Sequence, residues 1–375
     1  MNSPKRNGSI FPWGKKIHLG FALTERVEDA NDTSSQVGQE EGSEGNLAKK
    51  SSLPVMDIFA LSVEKAENAL GEGSLWELRG FFKEQVKEAF EFRASSGILS
   101  LKDKESLSDS LKKLTGSSAL GLRANAGFIS LPDSLVRASI IEFDELPKSS
   151  EEAGDVIGWQ AAREFYIKPE DSIVSYQRLG LEAETDGKVS VFVVVAKKDL
   201  ISSLEESFSD QGMGVGMIST HSLNILNLLV GVLPLMKELS NFVFILRVKT
   251  LFTIFFLVNG KPVFYRSKEV SDLRDFLFEV EQSFTFFKGK NRGVELERVV
   301  LVDSTVIENK STSILAKNLE EVLQCCSEVL SLSSLLEAGL VKSEGLKTGG
   351  GLSVNENGPD SIALLAALGA LESSL

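Results

Sequence analysis

Apolar residues fill 242–258 almost without interruption, broken only around Arg247 and Lys249 and ended by Asn259-Gly260. Short apolar runs bounded by turn residues predict buried strands, and Asn-Gly readily takes the two positive φ angles of a type I′ hairpin turn into 263–266. Helices are predicted at about 273–287 and, rich in leucine, at 315–330, with a strand at 298–302 between them. Gly349, Gly350 and Gly351 read as a connector, and 359–371 as a small-residue helix packed back on the body.

Between 128 and 200 the pattern reads strand, helix, strand, strand: 128–131 with 136–143, a helix at about 151–166, then 173–178 and 189–196. Two further helices, about 200–210 and 221–233, flank Gly212, Gly214 and Gly216. These glycines read as a turn, because they lack the third glycine of a dinucleotide loop and follow a helix rather than a strand. Over 102–114, Leu107, Leu111 and Leu114 share one helical face that Gly116 stops.

Nearer the start, 55–61 is the first expected strand. Segments 74–79 and 86–92 fit two strands or, because Ser74 and Glu77 can form a capping box, one helix through Phe92. From 23 to 46 acidic residues alternate with Gly, Ser, Asn and Gln, and almost nothing apolar is available to bury, which predicts a disordered linker. It tethers 10–20, where Phe11, Trp13 and Ile17 suit either a docking peptide or a loose terminus.

With 375 residues, 42% of them hydrophobic, the chain is long enough for two core-forming domains. Its formal charge of −13 and the lack of a basic stripe argue against nucleic acid as a partner. Cys325 and Cys326 cannot bridge distant loops, and with only His18 and His221 beside them no metal site is expected. Adjacent thiols of this kind suit a reducing compartment and helix packing. No signal-peptide pattern opens the chain, and Arg247 and Lys249 would each cost about 3 kcal/mol in the middle of a membrane span. A cytoplasmic chain without a direct span is therefore expected. Ser134 has no histidine near it in sequence, while Asp144-Glu145 and Glu151-Glu152 read as solvated charges at a helix start, so no catalytic residue is expected.

One ordered series combines features rarely found together: Leu131-Pro132-Asp133-Ser134, Glu151-Glu152, Trp159, Arg163-Glu164-Phe165-Tyr166-Ile167-Lys168-Pro169-Glu170-Asp171, and Tyr176-Gln177-Arg178-Leu179-Gly180. It resembles the extra subdomain of the PilM family, the FtsA-like, actin-like cytoplasmic proteins of type IV pilus assembly. The resemblance implies a mixed α/β, actin-like or ribonuclease H-like fold of two domains with an inserted subdomain, and it favours strands over a helix at 74–92. The expected division is a disordered arm over 1–50, a first actin-like subdomain over 51–128, the insert over 129–205, a return to the first domain over 206–240, and a shortened second domain with a C-terminal helix over 241–375.

Actin-like ATPases hold phosphates on two Asp-x-Gly hairpins and adenine beside a strand ending in Gly-Gly. Tested residue by residue, the first loop resembles Asp57-Ile58-Phe59, where phenylalanine replaces glycine. The second falls at Leu246-Arg247-Val248, with neither Asp nor Gly, although Arg247 is a cation that could meet an anion. After the strand at 298–302 come Asp303, Ser304 and Thr305 instead of glycines. Val270 also runs almost straight into the next helix, where the family inserts a further subdomain. No cofactor is therefore expected, ATP included, and the chain reads as a pseudo-ATPase.

On the helix at 151–166, Ile157, Ala161 and Phe165 form the stripe that covers the sheet, leaving Val156, Trp159, Arg163 and Tyr166 opposite. Those residues either pack against neighbouring parts of the chain or form a protein interface, where Trp, Tyr and Arg concentrate binding energy. The resemblance implies that the partner is the cytoplasmic tail of a PilN-like inner-membrane protein. The chain would then be a non-catalytic adaptor, peripheral at the inner membrane through its partners and linked to other components of a pilus or secretion machine. The alternatives are an ATP-binding actin-like ATPase and a type II secretion cytoplasmic scaffold.

Overall fold

A computed structural model describes residues 17–26, 55–67, 74–86, 90–93, 98–101, 103–115, 126–180, 188–304, 309–337, 341–342, 347–349 and 359–372. The chain opens with three antiparallel strands, β1 (Ile17–Arg26), β2 (Val55–Glu67) and β3 (Ser74–Val86). A small hairpin of β4 (Phe90–Arg93) and β5 (Ile98–Leu101) follows, then helix α1 (Lys104–Thr115). Strand β6 (Ala126–Leu131) returns parallel to β1.

An insert comes next: β7 (Val136–Phe143), α2 (Ser150–Phe165), β8 (Ser172–Arg178) and β9 (Val189–Lys197), with the strands ordered β7-β9-β8. Helix α3 (Lys198–Ser209) leads to β10 (Gly214–Thr220), which joins the first sheet parallel to β6. Helices α4 (His221–Val232) and α5 (Pro234–Glu238) then carry the chain to the second domain.

There, β11 (Phe242–Val248), β12 (Leu251–Val258) and β13 (Lys261–Glu269) are antiparallel, α6 (Leu273–Lys290) crosses over, and β14 (Arg298–Asp303) lies parallel to β11. Helix α7 (Asn309–Leu323) and strand β15 (Cys326–Val329), parallel to β14, complete that sheet. Helix α8 (Leu332–Glu337), strands β16 (Val341–Lys342) and β17 (Lys347–Gly349), and helix α9 (Pro359–Glu372) end the chain.

The two sheets share one plan. The first runs β3-β2-β1-β6-β10 and the second β13-β12-β11-β14-β15, three antiparallel strands followed by two parallel ones in each. This duplication is the actin-like, ribonuclease H-like fold. One face of each sheet contributes to a shared core around α4 and α9, where Ala22, Phe59 and Leu61 join Phe242, Phe244, Leu246 and Val300. The outer faces pack on α1 and α3 in the first domain and on α6 and α7 in the second.

Helix α9 is apolar on all sides, and every residue from Ser361 to Leu371 is buried. A helix of that kind is stable only when enclosed. It lies so close to β1 that a Cβ on Gly20 would come 2.6 Å from the Ala367 carbonyl oxygen, and so close to α4 that one on Gly369 would come 2.0 Å from that of Asn224. Leu364, Leu365 and Leu368 are sealed there, each burial contributing roughly 1.5–3 kcal/mol.

Several expected boundaries change. Residues 17–26 of the supposed arm form β1 in the middle of the first sheet, with Phe21, Ala22 and Leu23 fully buried. Residues 1–16 and 27–50 lie outside the described residues. The insert is narrower than 129–205, because β6 is a strand of the main sheet and α3 packs in the first-domain core. Helix α9 and strands β16 and β17, placed by sequence in the second domain, belong to the first.

The pairing of β2 with β3 overrides the capping-box helix that Ser74 and Glu77 suggested. Leucine periodicity predicts one helix over 315–330, but Gln324 adopts a left-handed backbone (φ 58°) that ends α7, and Cys326 starts a strand. The Gly212 turn is real (φ 73°), yet Gly214–Thr220 is a strand whose Gly216 sits where a Cβ would come 2.6 Å from the Phe128 ring. Gly349 ends β17, while Gly350 and Gly351 lie outside the described residues.

Candidate functional site

In a duplicated fold of this kind the ligand end is the carboxyl end of the parallel strands, between the domains. The counterpart of the first phosphate hairpin is the β1–β2 connection, residues 27–54, outside the described residues. Asp57 is not on that connection: Asp57-Ile58-Phe59, expected as the first loop, lies inside one continuous strand, β2. Asp57 pairs with Lys83 on β3 at 2.9 Å, and the Lys83 ammonium also lies 5.1 Å from the centre of the Phe59 ring. Phe59 is fully buried in the shared core, so it fills volume instead of facing open solvent.

The second hairpin is a tight turn at Lys249-Thr250, with Lys249 at φ 55°. Leu246 is buried in the shared core and Val248 packs against it. Arg247 turns to the other face, 5.0 Å from the Phe276 ring centre, and meets Asp303 of β14 at 3.4 Å. The Asp303 carboxylate is fully buried. Ser304 closes the arrangement, its hydroxyl accepting from the Lys249 backbone N–H at 3.0 Å and its own N–H donating to the Arg247 carbonyl at 2.9 Å.

The Lys249 amide of this turn is thus already occupied, and Arg247 beside it already has a counter-ion. Arg247 is accordingly an internal partner of Asp303, which alters its expected role as an anion contact. Sequence reasoning missed Lys83 as well, because only the strand pairing brings it beside Asp57. Among the described residues no cluster of His, Cys, Asp and Glu could hold a metal ion.

A second polar cluster joins β6, the Pro132-Asp133 turn and the start of α4. The Asp133 carboxylate accepts from the Ser222 backbone N–H at 3.1 Å and from the Ser222 hydroxyl. It thereby caps the positive end of α4. Burial raises the Asp133 carboxyl to about 6, with the hydrogen bonds from Ser222 acting against that shift. Asn224 Nδ2 donates to Ser130 Oγ at 2.7 Å, and Ser130 Oγ shares a further hydrogen bond with His221 Nδ1 at 2.8 Å. Burial lowers His221 to about 3 and keeps the ring neutral. This serine–histidine pair is sealed from solvent, and its role is to fix α4 on the strand ends. Asp133 and His221 were noted in the sequence but not as neighbours, since the members converge from strands and helices far apart in the chain.

The face of α2 behaves differently. Ser149 caps the helix by accepting from the Glu152 N–H at 3.5 Å, and Ile157 and Ala161 are fully buried against the insert sheet. Opposite them Trp159 is 61% exposed and Tyr166 94% exposed, with Val156 and Arg163 exposed beside them. The Arg163 guanidinium lies 5.8 Å from the Trp159 ring centre. Tyr166 also holds a left-handed backbone at the end of the helix (φ 54°), a conformation usually left to glycine or asparagine. Among the described residues, packing against neighbouring subdomains covers neither aromatic ring fully.

No protein-family model matches the sequence, and no curated protein matches it either. Among solved structures, the chain is similar to one described as the PilM-PilN type IV pilus biogenesis complex, at TM-score 0.57 and 14% identity over 96% of this chain and 97% of that one. It is also similar to a Bacteroides thetaiotaomicron protein with an actin-like ATPase fold, at TM-score 0.40 and 13% identity over 72% and 86%. The cytoplasmic domain of EpsL, an inner membrane component of the type II secretion system of Vibrio cholerae, gives TM-score 0.40 and 11% identity over 94% of each chain. The first similarity shows a PilM-like version of the actin-like fold.

Proposed function

We propose that this chain is a non-catalytic cytoplasmic adaptor of a type IV pilus or related secretion machine, which holds the cytoplasmic tail of a PilN-like inner-membrane protein. The carrying observation is the α2 face: Trp159 and Tyr166 are solvent-exposed on a helix otherwise well anchored, with Arg163 stacked beside the Trp159 ring. Tryptophan, tyrosine and arginine are the residues that most often dominate binding energy at interfaces. The PilM-like fold supports a tail of this kind as the occupant, since the similar chain comes from a complex with PilN.

The cleft supports the non-catalytic half. Both domains spend a cation on a carboxylate of their own, Lys83 on Asp57 and Arg247 on Asp303. No helix among the described residues is long and apolar enough to cross a membrane, and attachment to the membrane would come through the partner.

Titration of the purified chain against the fluorescently labelled tail of the cognate PilN-like protein tests the reading. Saturable binding is expected, weakened by roughly tenfold or more when Trp159 or Tyr166 becomes alanine. Absence of binding at high micromolar tail would overturn it. Saturable binding of magnesium-ATP in a parallel titration would overturn the non-catalytic half and leave the tail untouched.

A further inference from the structure

Strand β8 forms an edge of the insert sheet, in the order β7-β9-β8, and among the described residues no strand pairs with its outer side. The Leu179 N–H donates to the Ser190 carbonyl at 2.9 Å, and these two residues lie opposite each other in the register that pairs Arg178 with Val191. Hydrogen-bonded and non-hydrogen-bonded pairs alternate along an antiparallel ladder. Ile173, Ser175 and Gln177 therefore direct their backbone groups to β9, while those of Ser172, Val174, Tyr176 and Arg178 point out from the edge.

Exposed edges are normally blunted by proline, lysine or a bulge. Edge strand β13 of the second domain follows that rule, with Lys261, Pro262, Lys268 and a break in register beside Phe256. Strand β8 does not: Ser172–Arg178 contains neither proline nor lysine and runs beside β9 without a shift in register. Its one charged residue, Arg178, turns aside to the Pro147 carbonyl at 3.1 Å. An unblunted row of outward donors and acceptors is a template for another strand.

The sequence of the edge selects the occupant. Turned against itself about Ser175, the strand sets Val174 of one copy opposite Tyr176 of the other, and Ser172 opposite Arg178. All four belong to the outward set, so both pairs can exchange N–H···O bonds, and Ser175 meets its own counterpart on the two-fold axis at a non-hydrogen-bonded position. No like charges fall opposite each other. The axis is perpendicular to the sheet, so Val174 and Tyr176 stay on the face that α2 covers, and the two α2 helices run antiparallel on that face. A Cβ on Gly154 would come 3.8 Å from the Tyr176 ring, and one turn later a Cβ on Gly158 would meet nothing within 4 Å. The flank of α2 above the β8 edge is thus free of bulk and leaves space for a second helix. The acidic first turn of one helix, Glu151 and Glu152, then points to the end of the other that carries Arg163.

We infer that β8 docks a second copy of this chain by antiparallel strand addition centred on Ser175, which joins two three-stranded sheets into one. Trp159 and Tyr166 remain exposed on another side of α2, so the dimer presents that face twice, and its test is independent of tail binding.

Sedimentation equilibrium of the full chain tests this. Concentration-dependent dimerisation is expected, strengthened by salt, which screens the repulsion between chains of formal charge −13. Ser175 is exposed, so Ser175→Lys and Ser175→Glu should each melt like the wild type. Each should nonetheless weaken the dimer roughly tenfold or more, because like charges meet on the axis, and an equimolar mixture of the two should restore dimers. Val174→Pro removes one outward N–H, leaves the β9 ladder intact and should also weaken the dimer, whereas Trp159→Ala should dimerise like the wild type. A wild type that stays monomeric at high micromolar concentration, or a dimer indifferent to both charges, would overturn the proposal. Dimers that appear only after residues 1–16 are deleted would assign the edge to this chain's own first segment and overturn it too. So would a monomer whose Val174 and Tyr176 amides are protected from hydrogen exchange only by the PilN-like tail, which assigns the edge to that partner.

Discussion

Arg247 and Asp303 stand opposite each other on parallel strands β11 and β14, in register, and their side chains meet at 3.4 Å with the carboxylate fully buried. The pair joins the strand before the second hairpin to the end of β14. A buried ion pair of this sort is costly to break from one side, because the survivor is left charged in a low-dielectric site.

Arg247→Met alone should therefore destabilise the protein by about 3–5 kcal/mol, and Asp303→Leu alone by a similar amount. The double replacement should recover more than half of that loss, since two apolar side chains leave no unpaired charge. Urea denaturation of the four proteins in a double-mutant cycle reads the coupling directly.

Tyr166→Gly should move stability and binding in opposite directions. Glycine relieves the left-handed backbone at φ 54°, a gain of about 1 kcal/mol, while removing a ring that is 94% exposed. A higher melting temperature combined with weaker binding of the PilN-like tail is the expected result. A lower melting temperature would show that the ring stabilises the free chain.

Gly369→Ala should be among the most damaging single-methyl changes. The new Cβ would meet the Asn224 carbonyl at 2.0 Å, a backbone atom that cannot swing aside. Overpacking of this kind costs about 1–3 kcal/mol or more. Chemical denaturation and soluble yield measure it, with Gly158→Ala on α2 as control, where a Cβ meets nothing within 4 Å.

Asp133 and His221 should respond to acid in opposite senses. The Asp133 carboxyl is raised in the folded state from 3.8 to about 6, so its contribution is greatest below 3.8 and is lost as pH rises through 6. His221 is lowered from 6.5 to about 3, so its contribution is present above 6.5 and lost as pH falls toward 3. Between pH 4 and 6 the two partly cancel. Asp133→Asn removes the first and leaves the second, so the wild type should gain stability relative to the variant as pH falls from 7 to 4. Urea midpoints across that range test the sign.

The parts legible in the sequence were those with a local signature. Asn259-Gly260, both left-handed (φ 51° and 70°), set the β12–β13 turn, and the stripe of Ile157 and Ala161 set the buried side of α2. Strand β1 was hidden because Phe21 to Leu23 is a brief apolar run beside a long acidic stretch, and only pairing with β2 and β6 makes it a strand. At the candidate site the residues themselves, Asp57, Arg247 and Asp303, were legible. Their partnerships were not, because Lys83 and Asp57 or Arg247 and Asp303 become neighbours only through strand register. The polar cluster around Asp133 was hidden for the same reason, drawing its members from β6 and α4.

The position of α9 bears on how the chain is made. Strands β1, β2, β3, β6 and β10 emerge from a ribosome long before the helix that seals their inner face, while the second sheet is complete by Val329. Ala22, Phe59 and Leu61 share their core with residues 359–372, and contacts of such high sequence separation slow the closure of that inner face. Apolar surface left open in the meantime is prone to aggregation.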